Sequence, residues 1–169
     1  VERVENARGP ARNFLGADFL VSANEFMTDV MYKQAYKLDG LFNGKILEVG
    51  HPRSDLLINA DTNKVFKKLN NLGIKTDKKI ILYAPTWKGN LYNQLEYDVN
   101  EFKETVKKFS ENINQDEYRI YLRVHYFLYK FLAQDPELKD ILIPFTIDTN
   151  ELLSVVDVLI SDYSSIFFD

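Results

Sequence analysis

The sequence predicts an α/β protein built on a Rossmann-like, doubly wound parallel sheet. Short runs rich in Ile, Val, Leu and Tyr alternate along the chain with segments whose apolar residues recur every three or four positions. Several of the short runs are apolar on both faces, which is typical of parallel strands covered by helices on both sides. This β-α-β-α order favours a doubly wound sheet. Strands are predicted at 19–21, 45–49, 79–84, 119–124, 141–143 and 158–160.

The first helix is predicted from a capping-box pattern. Ser22 and Glu25 stand three residues apart, the spacing at which a hydroxyl and a carboxylate satisfy exposed backbone N–H groups at a helix start. The apolar period that follows predicts burial of Met27, Val30 and Met31.

A second helix is predicted to begin at Asp61 or Thr62 and to end at Gly73, a residue that readily adopts the left-handed conformation of a helix terminus. Its buried face is predicted to carry Val65, Leu69 and Leu72. Further helices are predicted from Asp98, over 126–133, and from Asp148 to near Val155.

The segment 50–55 is the predicted linker, because Gly50 permits unusual backbone angles and Pro52 stiffens the chain. Residues 1–50 are therefore expected to end one domain, and residues 51–169 to form most of a second. The chain starts at Val1 and stops within an apolar run, so it is expected to be an excerpt of a longer protein.

Composition excludes several classes of function. The 169 residues carry a net charge of −4, which argues against a nucleic-acid-binding protein because such domains are usually basic. There are no cysteines, which removes disulfides, thiolate metal sites and cysteine nucleophiles. The sequence has no Gly-x-Gly-x-x-Gly, Asp-x-Asp or His-Glu-x-x-His motif, so neither a dinucleotide fingerprint nor a protein-built metal site is predicted.

Polar side chains follow the predicted strands at their carboxyl ends. Those ends meet at one edge of a parallel sheet, where ligands bind. Hydroxyls, cations and an imidazole are therefore expected to converge there, as a phosphate site requires. The alternatives left open are a helix-capping role for Ser164, a backbone-bonded His125 and a solvated Lys88. The residues concerned are Thr86, Lys88, Arg123, His125, Ser164 and Ser165.

Four motifs occur in a characteristic order: GHPRSD at 50–55, LYAPTWK at 82–88, LRVH at 122–125 and DVLISDYSSIFFD at 157–169. Together they resemble the CDP-glycerol glycerophosphotransferase family, whose members build teichoic acids of the cell wall and related capsule polymers. The resemblance covers most of the chain and is weakest over residues 1–44.

The resemblance implies a glycosyltransferase-B-like fold. Residues 1–50 would be the end of an N-terminal acceptor-side domain and its linker. Residues 51–169 would be the nucleotide-binding domain, truncated at its C-terminus. The implied reaction transfers glycerol phosphate from CDP-glycerol to a hydroxyl of a growing polymer and releases CMP, without a cofactor.

The resemblance also implies roles for individual residues. Arg123 and His125 would contact the donor phosphates and carry the catalysis, and Ser164 and Ser165 would face the diphosphate. Thr86 and Lys88 would border the same pocket, and Asp148 and Glu151 would lie near the nucleoside.

Two departures from the family pattern stand out. Lys88 occupies a position where Arg is frequent, and the His-Gly-Thr motif of the first domain is absent from this sequence. The general base is therefore expected upstream of residue 1, and the chain is expected to be catalytically incomplete.

The implied partners are a nucleotide-activated polyol donor and a lipid-linked polymer acceptor. The protein is expected to be cytoplasmic and peripheral at the inner face of the cell membrane, with membrane contact only through parts outside this chain. Three alternatives remain: a ribitol-phosphate or sugar-phosphate transferase of the same family, a UDP-sugar glycosyltransferase, and a non-catalytic nucleotide-binding module.

Overall fold

A computed structural model describes residues 4–86 and 99–168. The chain divides into two compact units, Val1–Asp55 and Leu56–Asp169. The elements in chain order are α1 (Val4–Phe14), β1 (Phe19–Ser22), a π-helix (Met27–Ala35), β2 (Lys45–Glu48), α2 (Pro52–Ile58), α3 (Thr62–Asn71), β3 (Lys79–Tyr83), α4 (Val99–Asn112), β4 (Tyr118–Leu122), α5 (Tyr126–Leu132), a 3₁₀ helix (Lys139–Ile141), α6 (Thr149–Leu153), β5 (Val158–Ile160) and a final 3₁₀ turn (Ser165–Phe168).

The first unit contains a two-stranded parallel sheet. β1 pairs with β2 so that Phe19 lies opposite Lys45. Leu20, Tyr32 and Leu38 form the buried core beneath these strands. The Tyr32 hydroxyl donates a hydrogen bond to the carbonyl of Val21 at 2.7 Å, which ties the π-helix to β1.

The predicted capping box at Ser22 and Glu25 is wrong. Ser22 is the last residue of β1, and its hydroxyl donates to the carbonyl of Asn24 at 2.9 Å. The side-chain oxygen of Asn24 instead accepts from the N–H of Met27 at 2.9 Å. Pairing of β1 with β2 holds the backbone of Ser22 in the strand conformation. Asn24, which lies nearer the helix, therefore accepts the helix N–H bond in its place.

The buried face of this helix also differs from the prediction. Thr28 and Tyr32 are buried, whereas Val30 is 39% exposed and Met27 and Met31 are only partly buried. The N–H of Tyr36 donates to the carbonyl of Met31, five residues back, at 2.9 Å. This wider hydrogen-bond spacing turns the helix by a different angle per residue than the α-helical period assumes.

The second unit confirms the predicted doubly wound parallel sheet. Its strand order is β4-β3-β5, so the first strand lies in the middle and the chain extends to one side before crossing to the other. Helices cover both faces: α3 and α6 pack on one, and α4 and α5 on the other. Buried members of the first cluster include Leu69, Leu82 and Leu152, and those of the second include Phe102, Leu122 and Leu128.

The predicted strand at 141–143 is wrong. Residues Lys139–Ile141 form a 3₁₀ helix, and a single parallel bridge joins Leu142 to Leu122. The N–H of Ile143 donates to the carbonyl of Leu122 at 2.9 Å. Pro144 follows at once, and its missing N–H stops the pairing from extending.

Helix α3 largely matches its prediction. The Asp61 carboxylate accepts from the N–H of Lys64 at 3.2 Å, and Gly73 has a φ of +81° just past the helix end. Val65 and Leu69 are buried, as predicted. Leu72 is 44% exposed, since it is the C-cap residue and no longer follows the helical face.

The predicted linker 50–55 is partly helical. Gly50 has a φ of +85°, but Pro52 begins α2. Proline is well suited to the first position of a helix, where no N–H partner is needed. The predicted helix start at Asp98 lies outside the described residues, and α6 ends at Leu153, earlier than predicted.

Candidate functional site

A cleft of about 430 Å³ opens at the carboxyl ends of β3, β4 and β5. It lies where the chain crosses from one side of β3 to the other, the position at which open α/β sheets bind ligands. Its described lining comprises Ala84, Pro85, Thr86, Arg123, Val124, His125, Phe145, Asp148, Thr149, Asn150, Ser164, Ser165 and Ile166.

A larger depression of about 910 Å³ lies beside the amino ends of β3 and β4, where Lys78, Tyr118 and Arg119 contribute to its lining. Size alone favours it over the cleft. Most of the site side chains predicted from the strand ends nevertheless line the smaller cleft. It lies at the carboxyl edge of the sheet, where parallel sheets bind ligands. We therefore take the cleft as the candidate site.

The segments after β3 and β5 are joined by hydrogen bonds across the cleft floor. The N–H of Thr86 donates to the Asp162 carboxylate at 2.7 Å. The Ser161 hydroxyl donates to the carbonyl of Ala84, and the N–H of Ala84 donates to that of Ile160 at 2.8 Å. The backbone that carries Thr86 is thus held by β5 and the residues after it.

Ser164 and Ser165 lie together at the β5 side of the cleft. The Ser164 hydroxyl oxygen accepts from the N–H of Ile166 at 3.3 Å, so part of its role is the capping that the sequence left open. Ser165 is exposed and begins a 3₁₀ turn of 4 residues instead of a longer helix. On this side the cleft therefore presents two hydroxyls and a short 3₁₀ turn, and not the N-terminus of a long helix.

His125 lies at the β4 side of the cleft and is exposed. Its carbonyl accepts from the N–H groups of Leu128 and Tyr129 at 2.9 and 3.1 Å, so His125 stands directly before the first turn of α5. This position carries the imidazole beyond the end of β4, where it lines the cleft.

Arg123 is only 9% exposed, and its guanidinium contacts the loop 144–149. One terminal nitrogen donates to the carbonyl of Pro144 at 2.7 Å. The other donates to the carbonyl of Ile147 at 3.1 Å and to the Thr149 hydroxyl at 3.3 Å. The Arg123 guanidinium lies 4.4 Å from the ring centroid of Phe145. Burial lowers the pKa of Arg123, and the neighbouring Asp148 charge opposes that shift.

Asp148 lines the cleft and caps α6. Its carboxylate accepts from the N–H groups of Asn150 and Glu151 at 2.8 and 3.3 Å. The predicted cap at Asp148 is therefore confirmed, and the same residue is placed beside the cleft.

Glu151 does not belong to the described lining of the cleft. Its two carboxylate oxygens each accept from the Lys68 ammonium of α3 at 2.7 Å. Lys88, the remaining predicted site residue, lies outside the described residues.

Three further lining residues, Phe145, Thr149 and Asn150, had no role in the predicted site, although Phe145 follows the predicted strand 141–143. Phe145 is 41% exposed and packs edge-on against the rings of Tyr126 and Tyr129, with centroids 6.0 and 5.3 Å away. Its position just after the predicted strand 141–143 was the available signal. No sequence pattern pointed to Thr149 or to the carbonyls of the loop.

Within residues 4–86 and 99–168, no three His, Asp or Glu side chains are grouped so that they could hold a metal ion. Over the same residues, no helix combines the length and apolar character needed to cross a membrane.

The fold is a doubly wound α/β unit with a polar cleft at the carboxyl edge of its sheet, an arrangement typical of nucleotide-binding proteins, and comparisons with known proteins narrow that class. Residues 3–169 match the model of the family described as CDP-Glycerol:Poly(glycerophosphate) glycerophosphotransferase. The teichoic acid poly(glycerol phosphate) polymerase of Bacillus spizizenii is 36% identical over 166 residues, which cover 94% of this chain and 40% of that protein.

Solved structures of a teichoic acid polymerase also match the chain. The wall teichoic acid polymerase TagF, as a histidine-to-alanine variant, matches with a TM-score of 0.70 and 30% identity over 95% of this chain and 38% of that one. A histidine-to-asparagine variant of TagF soaked with CDPG matches with a TM-score of 0.65 and 31% identity over 97% and 38% of the two chains.

The chain belongs to the CDP-glycerol:poly(glycerophosphate) glycerophosphotransferase family. The resemblance seen in the sequence motifs and the glycosyltransferase-B-like fold class are both confirmed. The chain spans about 40% of the length of the Bacillus spizizenii relative that it matches.

Proposed function

We propose that this chain forms the donor-binding part of an enzyme that transfers glycerol phosphate from CDP-glycerol to a hydroxyl of a growing teichoic acid polymer, releasing CMP. The observation that carries the proposal is the convergence of Thr86, His125, Ser164 and Ser165 from three strand ends on one cleft. Membership of the glycerophosphotransferase family supports the donor class. A TagF variant soaked with CDPG supports it further.

In the proposed reaction the oxygen of an acceptor hydroxyl attacks the β-phosphorus of CDP-glycerol. A new O–P bond forms, the bond to the bridging oxygen breaks, and CMP leaves with the electron pair. The acceptor proton passes to a general base, which the family resemblance places in the acceptor-side domain. Such transfers depend mainly on positioning and charge stabilisation.

The donor-binding roles follow from position in the cleft. His125 and the hydroxyls of Thr86, Ser164 and Ser165 bind phosphate oxygens and stabilise the negative charge on departing CMP. The Arg123 charge, beneath the same cleft, adds positive potential. Lys88 remains a predicted member of this set. Asp148 is assigned to the nucleoside side.

The two domains predicted from the sequence have separate roles in the proposal. Residues 1–50 belong to the acceptor-side domain and linker, and residues 51–169 belong to the nucleotide-binding domain. The acceptor is a lipid-linked polymer, so we propose that the protein works at the inner face of the cell membrane, held there by parts outside this chain.

Titration calorimetry on the intact protein tests the donor class. We expect CDP-glycerol and CMP to bind with dissociation constants between about 1 µM and 1 mM, and UDP-glucose to bind at least about tenfold more weakly. Preference for UDP-glucose would indicate a sugar transferase, and failure of all three to bind would reject the donor site.

A turnover assay tests which polyol phosphate the enzyme transfers. Radiolabelled CDP-glycerol and CDP-ribitol are supplied separately with a lipid-linked acceptor, and incorporation into polymer is counted. We expect incorporation from CDP-glycerol. Incorporation from CDP-ribitol alone would assign the protein to ribitol-phosphate transfer, and binding without incorporation from either would favour a nucleotide-binding module.

A further inference from the structure

The loop 144–149 forms one wall of the cleft and has little regular structure of its own. It connects the single bridge at Leu142 to the start of α6. Its internal backbone bond, from the N–H of Ile147 to the carbonyl of Pro144, is long at 3.3 Å. The shape of this wall therefore depends on contacts from outside the loop.

Ile147 is buried in the core and Phe145 packs on Tyr126 and Tyr129, but the polar contacts to the loop come from Arg123. Its two terminal nitrogens reach the carbonyls of Pro144 and Ile147 and the hydroxyl of Thr149, at distances from 2.7 to 3.3 Å. The three acceptors span the loop from its first residue to the start of α6. One side chain thus joins the end of β4 to the whole wall.

The guanidinium has little surface left for a ligand. Arg123 is 9% exposed, and Phe145 packs against it at 4.4 Å from the ring centroid. Turning the group toward a phosphate in the cleft would remove a charged donor from the buried Ile147 carbonyl and would leave the Pro144 carbonyl with only the 3.3 Å bond from Ile147. Removing the donor of a buried carbonyl is unfavourable, which opposes that movement.

We infer that Arg123 is a positioning residue, which holds the loop 144–149 so that Phe145 and Asp148 meet the nucleoside side of the donor, and that it does not itself bind the donor phosphates. The inference rests on the proposed function and changes the role predicted for Arg123 from sequence. A planar fork with several fixed N–H groups suits this task, and a lysine ammonium does not.

The test compares Arg123→Lys with Arg119→Lys in the intact enzyme. Arg119 lies on β4, the strand that Arg123 directly follows, but it pairs with Asp77 at 3.0 Å, outside the cleft lining. Both variants keep their positive charge. We expect Arg123→Lys to raise the KM for CDP-glycerol by about tenfold or more with kcat changed less than about threefold, and Arg119→Lys to change neither.

Competitive inhibition distinguishes a positioning role of Arg123 from direct binding of the donor phosphates. CMP carries the nucleoside and inorganic pyrophosphate does not. We expect Arg123→Lys to raise the inhibition constant of CMP by about tenfold and that of pyrophosphate by less than about twofold. Equal losses for both inhibitors, or no loss for either, would overturn the inference.

Hydrogen exchange tests the loop without any ligand. The N–H groups of Asn150 and Glu151 are bonded to Asp148, so their exchange reports on the wall. We expect Arg123→Lys to speed exchange over 145–151 by about fivefold, with no change in Arg119→Lys. Unchanged exchange would overturn the inference even if the donor proved to be different. Failure of the wild type to bind CMP would instead reject the proposed function.

A milder pair covers the case in which Arg123→Lys does not fold. Thr149→Val removes one acceptor of the Arg123 guanidinium, and Thr149→Ser keeps the hydroxyl. We expect Thr149→Val to raise the KM for CDP-glycerol by about two- to threefold and Thr149→Ser to leave it near the wild-type value. Equal behaviour of the two variants would contradict the positioning role.

Discussion

The Asp162 carboxylate accepts a hydrogen bond from the N–H of Thr86 at 2.7 Å, and so joins the chain after β5 to the chain after β3. The two residues are 76 positions apart in the sequence. Both segments carry side chains of the candidate cleft, namely Thr86 on one side and Ser164 and Ser165 on the other. This bond therefore holds together two walls of the site.

Asp162→Ala should loosen that junction. We expect a loss of about 1–3 kcal/mol in the free energy of unfolding, because a charged acceptor is removed from a partly buried N–H. We also expect kcat/KM for CDP-glycerol to fall at least about tenfold. Asp162→Asn keeps an oxygen acceptor and should lose less. Wild-type kcat/KM in the alanine variant would show that the junction does not shape the site.

His125→Ala tests the imidazole at the cleft. We expect turnover of CDP-glycerol to fall by at least about 10²-fold, since a group that binds phosphate or moves a proton in the transition state is lost. The matched control is His51→Ala, which removes the other of the chain's 2 histidines and belongs to the first unit. Near-normal turnover in His125→Ala would remove this residue from the site.

Glu151→Gln distinguishes a structural role of Glu151, as the ion-pair partner of Lys68, from the role near the nucleoside that the family resemblance implies. The Glu151 carboxylate binds Lys68, whose side chain is 50% exposed, and exposed pairs of this kind contribute about 0–1 kcal/mol. We expect a small loss of stability and a KM for CDP-glycerol within about twofold of wild type. A tenfold rise in KM with unchanged stability would restore the nucleoside role implied by the family resemblance.

Leu69→Ala and Leu72→Ala form a matched pair within three residues of one helix end. Leu69 is fully buried in the cluster between α3 and the sheet, whereas Leu72 is half-exposed. We expect Leu69→Ala to lower the free energy of unfolding by about 2–5 kcal/mol, and Leu72→Ala by less than about 0.5 kcal/mol. Urea unfolding measures both, and equal losses would contradict the burial pattern.

Asp135→Asn tests a pH-dependent contact between α4 and the segment after α5. The Lys103 ammonium, 2.8 Å away, holds the pKa of Asp135 below its ordinary value near 3.8. A carboxyl with a depressed folded-state pKa stabilises the fold above its unfolded pKa and loses that effect as the pH falls through the folded value. We therefore expect wild type to be more stable than Asp135→Asn at pH 7, and the difference to shrink below about pH 4. A difference that stays constant into acid would contradict this assignment.

Local patterns predicted much of the second unit. The strands β3, β4 and β5 lie within two residues of their predicted bounds, because apolar runs flanked by polar segments are recognisable from neighbours in the chain. The cap at Asp61 and the stop at Gly73 were also predictable, since each depends on the backbone within a few residues. The convergence of strand ends on one edge followed from the parallel order alone.

The errors lie where distant parts of the chain compete with local preference. Ser22 has a capping-box spacing, but pairing of β1 with β2 keeps it in the strand. Residues 141–143 have the composition of a strand, but the pairing with β4 is limited to one bridge. Pro52 stiffens a linker in isolation and begins a helix in the folded chain.

The fold class, the family and the set of polar residues that follow the strands could be predicted from the amino-acid sequence, because these depend on periodicity and on short motifs. The contacts of each polar side chain could not, because they depend on the folded chain. Arg123 reaches the carbonyls of Pro144 and Ile147, and Glu151 reaches Lys68. Such partners are 21 to 83 positions away, so they are chosen by how helices and loops pack on the sheet and not by neighbouring residues.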